Sequence, residues 1–288
     1  MFRSLHPKSS ELTAFCTALT ALCLLAGAAA QQPQPSYRIL ISNDDGVRAP
    51  ALSVLAQALR PIGEVIVVAP VDNHSGVSQA LTATPPIARE DLTLTGGLAA
   101  IGLSATPATT IQIAIKNIVM PRPDLVVTGI NTAYNLGVSA YLSGTVGAAR
   151  QAVIEGVPAV ATSMAAPAAA RDLMSAAQQV AAIVRQVREH GLPSQTFLNV
   201  NIPPIPTGGY KGYQVTSQAA VRGGVERFVE GKRPGTNQTM YWSVYTEGAA
   251  APQGTDIWAV NNGYVSVTPM RVGEFDEKLA VTLRGWFK

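Results

Sequence analysis

Two acids stand side by side at Asp44 and Asp45, inside the run Ser42-Asn43-Asp44-Asp45-Gly46. The run follows Arg38-Ile39-Leu40-Ile41, a short apolar, β-branched stretch of the kind a buried parallel strand needs. Adjacent carboxylates at the end of such a strand repel each other and lose solvation, and a bound cation relieves both costs. The competing reading is an Asx-rich turn whose acids cap the next helix. Two further stretches, His74-Ser75-Gly76 and Gly129-Ile130-Asn131, add a hydroxyl and a carboxamide. Together with the acids these are hard oxygen donors, which suit Mg²⁺, Mn²⁺ or Ca²⁺ better than zinc or copper. A fourth stretch, Ser143-Gly144-Thr145, combines hydroxyls with the free N–H groups of a helix amino end, which together cradle a phosphate. A cation beside an anion cradle points to a phosphoester. Taken singly, Ser143 is an N-cap, Ser75 a loop serine and Asn131 a stabiliser of its own turn. Their predicted position on one sheet edge is what makes them a constellation.

That edge follows from the elements around them. Pro50 opens a helix with Leu52, Leu55, Ala56 and Leu59 on one face, closed by Pro61 and Gly63, and 64–69 (EVIVVA) is a second buried strand. Strand, helix and strand over this span form a right-handed βαβ unit, the beginning of a doubly wound sheet. The polar loop 70–82 then leaves the same edge as Asp44 and Asp45, where open α/β sheets bind ligands. Further strands are expected at 99–103, 125–128, 158–161 and 197–202. Helices are expected from Thr106-Pro107 to Pro121, from Ser143 to Glu155 and, as the longest, over 171–190. Beyond Pro203 the pattern changes to Gly-rich turns and short β-like runs without a helix period. The expected organisation is an α/β, Rossmann-like core over 37–203 and a β-rich extension over 204–288 that covers the site or pairs with another subunit.

Of 288 residues, 47% are hydrophobic and 14% charged, which excludes a disordered chain. The first thirty residues stand apart. Arg3, His6 and Lys8 precede an apolar run over 14–25, and Ala28-Ala29-Ala30 supplies small residues before Gln31, the pattern of a secretory signal peptide. The apolar run is shorter than the ~20 residues of a spanning helix. Export to the periplasm is therefore expected, with 1–30 removed, a polar leader over 31–36 and no membrane association afterwards. Both cysteines, Cys16 and Cys23, fall in the segment to be removed, so the mature chain carries no disulfide. A net charge of +3 without a dense basic run makes a polynucleotide an unsuitable main partner.

Six ordered motifs carry a resemblance. Ile39-Leu40-Ile41-Ser42-Asn43-Asp44-Asp45-Gly46, Val67-Val68-Ala69-Pro70 with Asn73-His74-Ser75-Gly76, and 123–131 (PDLVVTGIN) come first. Asn135-Leu136-Gly137 with 141–149 (YLSGTVGAA), 198–203 (LNVNIP) and 263–269 (GYVSVTP) follow. In this order they resemble the SurE family of divalent-metal-dependent nucleoside monophosphate phosphatases, across essentially the whole mature chain. The resemblance implies one divalent cation per subunit on Asp44, Asp45, Ser75 and Asn131. It places the phosphate near Asn43, Asn135 and the Ser143-Gly144-Thr145 turn. It also implies a homodimer or homotetramer that exchanges a C-terminal segment. Ala105, the run Asn131-Thr132-Ala133 and Val138 depart from the family's usual pattern. These departures leave the implied metal ligands intact and alter the side chains that would set substrate preference.

The chemistry expected is hydrolysis of a nucleoside monophosphate to nucleoside and phosphate, of the 5'/3'-nucleotidase and acid phosphatase type. One carboxylate of the Asp44/Asp45 pair orients or deprotonates water, and Asn43, Ser143 and Thr145 stabilise charge on the phosphoryl oxygens. His74 is either the acid for the leaving alkoxide or an exposed loop residue. The alternative from another class is a non-catalytic periplasmic protein that captures a nucleotide or phosphate with its metal. A serine hydrolase is excluded by the absence of a Gly-x-Ser-x-Gly elbow, and a nucleoside-triphosphate switch by the absence of a P-loop.

Overall fold

The computed structural model describes residues 36–84, 86–167, 169–221, 224–246 and 250–287. The expected signal peptide and nearly all of the leader lie outside the described residues. Within them, Tyr37–Lys288 forms one compact unit.

The strands are β1 (Arg38–Ser42), β2 (Glu64–Pro70), β3 (Arg89–Leu94), β4 (Leu98–Leu103), β5 (Leu125–Asn131), β6 (Ala159–Met164), β7 (Thr196–Ile202), β8 (Tyr213–Val215), β9 (Gly224–Lys232), β10 (Thr239–Thr246) and β11 (Val265–Arg271). The helices are α1 (Pro50–Leu59), α2 (Pro107–Ile113), α3 (Gly144–Ile154), α4 (Ala170–His190), α5 (Asp256–Asn261) and α6 (Glu277–Trp286). A wider helical turn, Ala114–Ile118, continues α2, and a 3₁₀ segment, Gly137–Leu142, precedes α3. Nine strands make one sheet in the order β3-β4-β2-β1-β5-β6-β7-β11-β8, and β9 and β10 form a separate antiparallel pair. The six central strands from β4 to β7 are mutually parallel. The chain winds outward from β1 through β2 to β4, then returns to the other side of β1 to begin β5. That reversal opens a crevice at the carboxyl ends of β1 and β5, where Asp44 and Asn131 lie.

The sheet is buried on both faces because each central strand alternates apolar side chains between two cores. Ile39, Ile41, Val67, Val127 and Val160 pack with Leu52, Leu55 and Leu59 of α1 and with Leu173, Val180 and Val184 of α4. Leu40, Val68, Val126 and Ala161 pack on the other face with Ile111 and Ile115 and with Val146, Ala149 and Val153 of α3. This is the doubly wound α/β architecture the strand and helix periods predict.

The region after Pro203 differs from its expected form. It contains two helices, α5 and α6, and β11 does not belong to an appendage. β11 pairs antiparallel with β7 and parallel with β8, extending the main sheet. The β9–β10 hairpin is the part that answers to the expected antiparallel extension.

Candidate active site

β1 ends at Ser42, and the next residues turn sharply. Asn43 Nδ2 donates to Gly46 O at 2.9 Å, and Val47 N donates to Pro70 O at 2.7 Å, which ties the turn to the end of β2. Gly46 makes this turn with a φ of +104°, where a Cβ would sit 3.1 Å from Val71 O. Asp44 is 2% exposed and Asn43 1%. Asp45 is half-buried.

Asp44 reaches α3. Its Oδ1 accepts a hydrogen bond of 2.5 Å from Thr145 Oγ1, and its carboxylate lies so close to Gly144 that a Cβ there would be 2.9 Å from Oδ2. The glycine is therefore what lets the helix amino end approach the acid. Burial pushes the Asp44 carboxyl above its ordinary range, opposed by the Thr145 hydroxyl and N–H, which favour the charged form. Burial, followed by the charge on Asp44, pushes Asp45 up to about 6. Among the described residues no Lys or Arg forms an ion pair with either acid.

The loop after β2 comes back to this point. His74 N donates to Asp44 O at 2.7 Å, so Ser75, itself exposed, is one residue from a contact with the acid. Ser75 N is held by Asn73 Oδ1 at 2.9 Å. Farther on, Ser78 binds the segment before α3 through Ser78 N to Leu142 O and Ser78 Oγ to Tyr141 O, at 3.0 and 2.6 Å. Asn131 ends β5, the strand beside β1, and its Nδ2 donates to Ala133 O at 2.7 Å, which leaves Oδ1 as the atom to face a ligand. Ser143 caps α3 by accepting from Val146 N at 3.2 Å and retains its own O–H for donation.

Three expected phosphate contacts are placed otherwise. Asn43 uses its amide N–H on Gly46 O and leaves a buried Oδ1 without a partner, an acceptor that repels a phosphate oxygen. Thr145 uses its only O–H on Asp44. Asn135 is 7% exposed and its Nδ2 donates to Ser163 Oγ at 2.7 Å, while its carbonyl accepts from Asn199 Nδ2 and Asn201 Nδ2 and its N–H donates to Asn201 Oδ1. The turn needs these bonds because it is buried, so Asn135 positions the segment that leads to α3.

Sequence reasoning missed the residues that hold this segment. Asp256, fully buried, accepts from Gly137 N at 2.8 Å and Ala219 N at 2.9 Å, joining the 3₁₀ segment to the chain before β9. Asn199 and Asn201 were legible as two polar residues on one face of an otherwise apolar strand, a pattern that calls for a buried partner.

The donors present fit a hard divalent cation. Two carboxylates raised by burial and without a Lys or Arg ion pair among the described residues, an orphaned Asn43 Oδ1, and the Ser75 and Asn131 oxygens are the chemistry such an ion takes. Among the described residues no group of three or more His, Cys, Asp or Glu side chains is placed to hold a metal, so Ser75 and Asn131 would have to complete the set.

Comparison with known proteins gives a concordant result. The family model described as Survival protein SurE matches residues 39–224. The 5'-nucleotidase SurE of Geobacter metallireducens is 37% identical over 254 residues, which covers 86% of this chain and 97% of that protein. The 5'-nucleotidase SurE of Geotalea daltonii is 35% identical over 250 residues, covering 86% and 98%. The crystal structure of SurE protein from Aquifex aeolicus superposes with a TM-score of 0.74 at 34% identity, covering 87% of this chain and all of that one. With the family model matching well over half of its length and the relatives covered almost end to end, this chain belongs to the SurE family.

Proposed function

We propose that this chain is a divalent-metal-dependent phosphomonoesterase that hydrolyses nucleoside monophosphates to nucleoside and phosphate, with 5'- and 3'-nucleotides both accepted. The observation that carries the reading is the Asp44/Asp45 pair: two adjacent acids at the switch point of the sheet, both pushed toward neutrality by burial, with Asp44 against the amino end of α3. The two relatives are named 5'-nucleotidases, which supports the substrate class.

Asp44, Asp45, Ser75 and Asn131 are the residues to hold one cation, Mg²⁺ or Mn²⁺ in the first place and Ca²⁺ as a compatible third. The ion supplies charge neutralisation at the phosphoryl group and a more acidic water. Asp45, the more open acid, takes the proton of the attacking water. Asp44 is fixed by Thr145 and serves as the anchor. The N–H of Gly144 and the hydroxyl of Ser143 are the donors that remain for the phosphoryl oxygens. His74, partly exposed and tied through its backbone to Asp44, is available to protonate the leaving alkoxide.

Two further parts of the reading concern setting. The N-terminal pattern supports export to the periplasm. The apolar surface of the C-terminal arms supports a homodimer or homotetramer: Phe228, Tyr241 and Trp242 of the hairpin and Leu279, Val281 and Trp286 of α6 are exposed.

Purified full-length protein assayed with 5'-AMP, 3'-AMP and p-nitrophenyl phosphate tests the reaction. Turnover in Mg²⁺ or Mn²⁺ that EDTA abolishes is expected. Turnover indifferent to EDTA overturns the metal requirement, and tight nucleotide binding without phosphate release makes the chain a binding protein instead.

A further inference from the structure

The side chain of Thr145 is the last of three buried hydroxyls that cross the molecule from β6 to the site. Thr162 Oγ1 donates to Thr128 O at 2.8 Å, Thr128 Oγ1 donates to Thr145 O at 2.8 Å, and Thr145 Oγ1 donates to Asp44 Oδ1 at 2.5 Å. All three threonines are 0% exposed. The direction of the chain is fixed, because two of its acceptors are carbonyls, which cannot donate, and the third is a carboxylate. β6, β5 and α3 are thereby linked in series, and Thr145 of α3 ends the series on the carboxylate of Asp44 in the turn after β1. Gly144 closes the other side, against Oδ2.

Such an arrangement fixes the plane of a carboxylate. Asp44 has a neighbour of the same charge at Asp45, and without a restraint the two would rotate apart. A short, charge-assisted bond to the hydroxyl of a buried residue whose own backbone carbonyl is held by Thr128 Oγ1 opposes this. We propose that Thr145 is a positioning residue for Asp44: it orients the carboxylate toward the cation and does not touch the phosphoryl group. The proposal rests on the reading of Asp44 as a metal ligand given above.

Thr145→Val removes the hydroxyl and Thr145→Ser keeps it. Measured by Mn²⁺ electron paramagnetic resonance titration, the valine variant is expected to bind Mn²⁺ about 10- to 100-fold more weakly. At saturating Mn²⁺ its kcat for AMP falls while KM stays within about twofold, the signature of a misoriented anchor and not of a lost substrate contact. The serine variant recovers both values. Unchanged Mn²⁺ affinity, with or without a raised KM for AMP, overturns the proposal, and a raised KM makes Thr145 a phosphate contact.

Should the valine variant not fold, a crystal of the wild-type protein soaked with Mn²⁺ and phosphate decides. Thr145 Oγ1 still bonded to Asp44 supports the proposal, and Thr145 Oγ1 turned to the phosphate overturns it. Wild-type protein that binds no Mn²⁺ at all overturns the hydrolase reading itself, before any variant is compared.

Discussion

The crevice around Asp44 and the C-terminal arms carry opposite kinds of unmet need. At the crevice the cost is electrostatic: Asp44 is 2% exposed, lies beside a second acid and, among the described residues, has no Lys or Arg in an ion pair with it. In the arms the cost is apolar: Phe275 is 77% exposed, Phe287 83%, and no residue of α6 is buried. A single small ion satisfies the first, because charge acts at a point. Only a large surface satisfies the second, because apolar stabilisation scales with area. The comparison teaches that one chain completes its sheet, whereas the crevice suits the proposed cation and the arms suit the proposed partner subunit.

The largest effect is expected at the crevice. Asp44→Asn should lower turnover by about 10³-fold or more at saturating Mn²⁺, since a neutral amide cannot replace an anionic ligand. In EDTA the same variant should unfold at an equal or higher urea midpoint than wild type, because repulsion with Asp45 is gone. Near-normal turnover would remove Asp44 from the site. Gly144→Ala should follow, with about 10²-fold lower activity and a loss of about 1–3 kcal/mol in urea unfolding. Its new methyl would stand 2.8 Å from Asp44 Cβ and 3.1 Å from His74 O, both anchored atoms. A fully active alanine variant would show that the approach of α3 to Asp44 is not needed. In the arms, Leu279→Asp combined with Trp286→Asp should leave far-UV circular dichroism unchanged and reduce the mass by multi-angle light scattering to a smaller species. Wild-type protein that is already monomeric would break the comparison on that side.

Much of this contrast was legible beforehand, for reasons that particular residues show. The Ile39-Leu40-Ile41 run names a buried strand because both neighbours and both faces must be apolar there, and the acids after it stand out for the same reason. The stretches that contain Asp44, Asp45, Ser75 and Asn131 could be placed on one edge from topology, since parallel strands send their carboxyl ends there, while the choice of these four as ligands came from the family resemblance. The use of each donor could be read from neither. Whether Thr145 turns to a phosphate or to Asp44 depends on a side-chain rotamer, and the Thr128 and Thr162 hydroxyls that hold the backbone around it have no local sequence signal. α5 escaped notice because six residues do not establish a helical period. α6 has enough residues but no buried face, so its apolar side chains could not be told from a strand that packs on the core.

The smallest effect separates the two acids by pH. Asp45 titrates at about 6 in the folded chain, against about 3.9 when unfolded, so the folded state holds the extra proton between those values. Stability therefore falls as pH rises through that window and levels off above it, opposite to the behaviour of a salt-bridged acid. The full shift corresponds to nearly 3 kcal/mol, and solvent screening of this half-open side chain reduces it to about 1 kcal/mol. Asp44, also raised by burial, acts in the same sense. In EDTA, wild-type protein should thus lose about 1 kcal/mol more than Asp45→Asn between pH 4.5 and pH 7, read from urea midpoints; comparing the two chains cancels the remaining carboxylates. Repeating the pair in Mn²⁺ should reverse the wild-type trend above pH 6, because the ionised acid then has a cation to bind. An equal pH slope for both chains in EDTA would show that Asp45 is not held up by burial and its neighbour, and the crevice would no longer differ from an ordinary capped turn.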